Sequence, residues 1–94
     1  MAKEIEQSEA MKLFRKFKTD KEKGKLVDVL YEQRHSIEKN SLSRLINFME
    51  SEKFYLCAGK LSEKLKNYER AKRNYKMVGA YDLIEECIKK QSEL

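Results

Sequence analysis

The chain has 94 residues, of which 40% are apolar and 39% charged, with no proline and a formal net charge of +5. That length fits one domain with a modest core and leaves little material for a deep catalytic pocket beside it. The apolar share is too large and too periodic for a disordered chain, and Lys, Glu and Leu in the absence of proline make the helix the default element.

Two blocks hold the basic excess. Residues 12–25 carry seven basic against two acidic side chains, and residues 60–76 again carry seven against two. The segments before, between and after are neutral or acidic. Such patches bear on polyanionic partners and on solubility, not on fold. No apolar run reaches the length of a membrane span. The opening MAKEIEQSEA is polar and lacks the core of a signal peptide, so a cytoplasmic location is expected. Cys57 and Cys87 are then expected as reduced, packed thiols.

Helical spacing predicts a first helix over about Lys3 to Lys18, with Ala10, Leu13, Phe14 and Phe17 on one face. Thr19-Asp-Lys-Glu22 matches a capping box and predicts a second helix from Asp20 carrying Leu26, Val29 and Leu30, or a later start that leaves a basic loop. The period is lost around Arg34-His35-Ser36. Asn40 or Ser41 then suits the cap of a third helix with Leu42, Leu45, Ile46 and Met49 as its stripe. Ser51 is placed to cap the next. Phe54, Cys57, Ala58, Leu61, Leu65, Tyr68, Ala71, Tyr75 and Val78 recur every three or four residues and predict one long amphipathic helix over about 52–78. Gly79 sits where a left-handed cap belongs, and a fifth helix carries Tyr81, Ile84 and Ile88, with Leu83 and Cys87 beside them. No linker or long-range repeat is apparent. The expected fold is a single all-α domain over 1–94, a compact bundle of four to five helices.

On a helical wheel Lys66, Arg70 and Arg73 form a basic ridge opposite the apolar stripe of the long helix. LSEKLKN followed by ERAKRNYKMV resembles the helix-turn-helix of winged-helix regulators, which implies Arg70, Arg73 and Lys76 in a major groove. Lys66 and Asn67 stand where that motif has its turn glycine and buried apolar residue. YKMVGAYDLIEECIKK is similar to the central turn of a tetratricopeptide repeat, over about residues 68–91, with Ile84 where the repeat wants a small residue. One repeat cannot bury its own face, so no ligand-binding function is carried over. The plainer reading is an amphipathic helix in a bundle with its charged face in water. The 3–4 spacing also suits pairing with another chain, as a homodimer.

One histidine and two distant cysteines provide no zinc-ligand set, and there is no phosphate loop or metalloprotease motif. No catalytic, metal or cofactor residue is therefore expected. In MKLFRKFK, Phe14 and Phe17 alternate with Arg15, Lys16 and Lys18; this suits an amphipathic surface segment, but core burial of the Phe residues is preferred. The sequence is read as a non-enzymatic regulator or adaptor docking on a protein partner through Lys66, Arg70, Arg73 and Lys76, extended by Arg15 and Lys16 of the first basic block. Nucleic-acid binding through the same cations is the alternative.

Overall fold

A computed structural model describes residues 6–93, which form six helices and no strand. They are α1 (Gln7–Lys16), α2 (Asp20–Glu32), α3 (Lys39–Ser51), α4 (Tyr55–Lys64), α5 (Tyr68–Met77) and α6 (Tyr81–Ser92). The all-helical class is as expected. The helix count is higher than four to five, and the long helix over 52–78 does not exist: α4 begins at Tyr55, and residues 65–67 turn the chain into α5. Residues 3–5 of the first predicted helix lie outside the described residues. The radius of gyration, 12.9 Å, is close to the ~12 Å of a compact domain of this size.

The first two helices follow their local signals in part: α1 stops at Lys16, short of Lys18, and on α2 Val27 is buried with Leu26 and Leu30 while Val29, placed on the stripe from sequence, is exposed. Ala10 and Phe14 are fully buried, and Phe17 packs against the same cluster. The Thr19 hydroxyl accepts from the Glu22 amide at 3.2 Å and donates to the Glu22 carboxylate at 2.9 Å, so α2 starts at Asp20. Lys23, within the first basic block, is buried. Its ammonium donates to the Phe17 carbonyl beyond the end of α1 at 2.7 Å and lies 4.6 Å from the centre of the Phe54 ring. Leu42, Leu45, Ile46 and Met49 of α3 are all buried, as their spacing predicts. The α3 cap falls on Glu38, two residues before Asn40, and Ser51 ends α3 with its hydroxyl on the Phe48 carbonyl instead of opening α4.

The last four helices are joined by three corners of one design. Lys53, Lys66 and Gly79 take left-handed φ values of 64°, 64° and 68°. The next amide in each case donates back across the helix end: Phe54 to Met49 O at 2.7 Å, Asn67 to Ser62 O at 2.8 Å, Ala80 to Tyr75 O at 2.9 Å. This is the Schellman pattern, which satisfies carbonyls orphaned at a helix C-terminus. Phe54, Asn67 and Ala80 then serve as N-caps with nearly the same backbone, φ −86°, −90°, −83° and ψ 58°, 74°, 66°. The corners recur every thirteen residues, and Tyr55, Tyr68 and Tyr81 open the helices that follow. Asn67 adds a side-chain cap on the Arg70 amide at 3.4 Å.

Two apolar clusters result. Phe14, Leu30, Leu45, Met49 and Leu61 centre the one built from α1–α4. Tyr68, Ala71, Tyr75 and Cys87 centre the one between α5 and α6, with Leu56 of α4, Leu83 and Ile84 packed against it. Tyr75 joins α5 to α4. Its ring lies where a Cβ on Gly59 would be only 2.6 Å away, so glycine is what allows this approach. Its hydroxyl donates to Glu63 at 2.7 Å.

Candidate functional site

The six cations singled out from sequence have different fates. Arg70 turns inward on α3: Nε and Nη2 donate to the two Glu50 carboxylate oxygens at 3.0 and 2.7 Å, and Nη2 also reaches Asn47. Its side chain is only 15% exposed. Asn74 donates to the same Glu50 at 2.7 Å. The Arg70 bonds outweigh the effect of partial burial and hold the Glu50 carboxyl below its usual range. Arg15 is bonded to Glu52 through Nε at 2.8 Å and through Nη2, and lies over the Phe48 ring. Both arginines thus close on the C-terminal turn of α3. Lys66, Arg73, Lys76 and Lys16 are exposed and make no ion pair among the described residues.

The α4–α5 turn does supply the helix–turn–helix interruption that the motif requires. The first turn of α5, however, buries Tyr68, engages Arg70 with Glu50 and leaves acidic Glu69 as its exposed residue. A recognition helix approaches base edges with its N-terminal residues; in this turn the exposed carboxylate of Glu69 is paired with Lys72 at 2.9 Å and accepts from Gln91 at 3.0 Å.

A concavity lies elsewhere. A groove of about 670 Å³ runs across α4 between α2 and α6. Asp20, Lys21, Gly24, Lys25 and Asp28 form the α2 wall, at spacings that put them on one helix face. Leu83, Glu86 and Lys90 form the α6 wall, and Leu56, Cys57, Lys60, Glu63 and Lys64 come from α4, with Tyr75 beneath. A second depression of about 410 Å³ shares Asp20 and Leu56 with the first and continues past Lys53, Phe54, Tyr55, Val78 and Ala80. The two adjoin at these shared residues and are together called the trough.

Ion pairs brace its sides. Asp28 lies 3.2 Å from both Lys60 and Lys64, and Lys60 also donates to the Gly24 carbonyl at 3.3 Å. Burial alone would raise the Asp28 carboxyl, but the two ammonium groups outweigh it and bring it below its usual range. On the other side Glu63 accepts from Lys90 and from Tyr75. There too burial is outweighed by its donors, and the carboxyl lies below its usual range. Burial pushes the Cys57 thiol up to about 12, so at neutral pH it is an un-ionised, apolar part of the floor.

Six lysines against four carboxylates line the trough, counting both depressions. Lys21, Lys25 and Lys53 make no ion pair among the described residues. Both basic blocks foreshadowed this site, the first through Lys21 and Lys25 and the second through Lys60 and Lys64. Leu56 and Leu83 gave no signal, because apolar residues on a helix face read as core until the neighbouring helices are placed. No group of three or more His, Cys, Asp or Glu able to hold a metal occurs among the described residues, and no described helix is long and apolar enough to cross a membrane.

No protein-family model, curated protein or solved structure matches this chain.

Proposed function

We propose that the protein is a non-enzymatic helical adaptor that docks a segment of a partner protein in the trough across α4. The observation that carries this reading is the trough itself: an apolar floor at Leu56, Leu83 and Val78, and unpaired lysines along its edges. Apolar contact at the centre with a charged, solvated rim is the anatomy of a protein-binding surface. An amphipathic helix laid in a groove is the recurring mode for such a shape, and the positive balance favours one with acidic flanks.

The Arg70–Glu50 pairing weighs against the nucleic-acid alternative, because it removes the central cation of the basic ridge from any phosphate contact. Affinity capture from a lysate of the source cells separates the two readings. The wild-type chain retains a stoichiometric protein, Leu83→Glu loses it, and the double variant Arg73→Gln/Lys76→Gln keeps it. A labelled random duplex that binds with steep salt dependence, and is released by the Arg73/Lys76 variant but not by Leu83→Glu, is the result that overturns the proposal in favour of phosphate binding.

A further inference from the structure

The thirteen-residue pitch of the corners aligns α3, α4, α5 and α6 residue by residue. Met49, Ser62, Tyr75 and Ile88 share one position, and Leu42, Tyr55, Tyr68 and Tyr81 another. At the first position Met49, Ser62 and Tyr75 are 0%, 0% and 2% exposed, whereas Ile88 is 52% exposed. At the second, Leu42 and Tyr68 are 5% and 9% exposed, whereas Tyr81 is 63% exposed. α3, α4 and α5 each have the following helix packed against them. The inward side of α6 is held by Cys87 and the groove side by Leu83, Glu86 and Lys90. Tyr81 and Ile88 therefore form a separate apolar stripe, and sequence periodicity, which reads them as core, is right about their character and wrong about their cover.

The charges beside this stripe identify an occupant. Asp82 and Glu85 lie in the first half of α6 and Lys89 in the second, all exposed. Two parallel copies would set like charges against each other. Two antiparallel copies set the acidic half of one helix against the basic half of the other, and a two-fold axis makes such a contact self-complementary. We infer that α6 pairs with α6 of a second copy, antiparallel, through Tyr81 and Ile88 with Glu85 facing Lys89 of the partner chain. The same order of charge also suits the dipole of a lone helix, and the charge swap below separates the two.

Sedimentation equilibrium of the full chain up to millimolar concentration tests this. A monomer–dimer equilibrium is expected, weak because the contact is small. Ile88→Asp, at a half-exposed position that does not endanger folding, raises the dissociation constant at least about tenfold. Glu85→Lys weakens the dimer, and Glu85→Lys/Lys89→Glu restores it, although the swap opposes the helix dipole. A chain that is monomeric throughout, association indifferent to Ile88→Asp, or a swap that fails to restore the dimer each overturns the inference. The inference does not depend on what the trough binds.

Discussion

At Gly59 two effects compete. Alanine would add helix propensity of about 1 kcal/mol. Against this, its methyl would lie 2.6 and 2.7 Å from two atoms of the Tyr75 ring, which is 2% exposed and held through its hydroxyl by Glu63. A ring so fixed cannot retreat, and overpacking of this kind costs about 1–3 kcal/mol. Gly59→Ala is expected to lower stability on balance, read as an earlier urea midpoint. The Glu50–Arg70 pair makes a pH-dependent contribution. Its carboxyl lies below the ordinary value of 4.5, so the stabilisation is complete above that value and is lost as pH falls through the lowered one. Arg70→Met removes bonds to a charged group worth about 2 kcal/mol at neutral pH. Urea midpoints of wild type and variant should approach each other as pH falls below 4.5 and through the lowered value. A gap that does not narrow on acidification would show that packing, not the ion pair, is what Arg70 supplies.

The corners offer a test at the level of the helix. A left-handed conformation costs a residue with a side chain about 1–2 kcal/mol, and Lys53 and Lys66 both adopt it while exposed. Lys66→Gly is expected to stabilise by about 0.5–1 kcal/mol, and Gly79→Ala to destabilise by about 1 kcal/mol, both measured by thermal unfolding. The same corner explains what was legible in the sequence. The start of α2 could be read because Thr19 and Glu22 act locally, and the stop of α5 because Gly79 announces its conformation. The break at Lys66 could not, because nothing about a lysine signals positive φ. Leu65 and Tyr68, three apart, also carry the apolar rhythm straight across the turn. The ridge failed for a related reason. A wheel drawn for one straight helix places Arg70 outside, and only the turn into α5 brings it over Glu50. The trough is assembled from α2, α4 and α6, distant in sequence, so no local pattern announces it.

Across the whole molecule the two clusters differ in extent. The α1–α4 core gathers twelve buried apolar residues and the α5–α6 core four. Local opening follows such differences. Amides of Ile84–Ile88 are expected to exchange with deuterium faster than those of Leu26–Leu30 in dilute protein, as hydrogen-exchange mass spectrometry would show. Equal protection would mean that the two clusters unfold as one unit. The corners are alike enough that their helices look interchangeable, yet the seat beneath Tyr75 is not repeated. The residues aligned with Gly59 are Ile46, Lys72 and Glu85, and none of them leaves room for an aromatic ring lying on the backbone. Only α4 can therefore receive α5. A stack built from three like joints thus carries a single address at Gly59, one that works against shuffled stacking orders and against naive lengthening of the stack by copying residues 67–79.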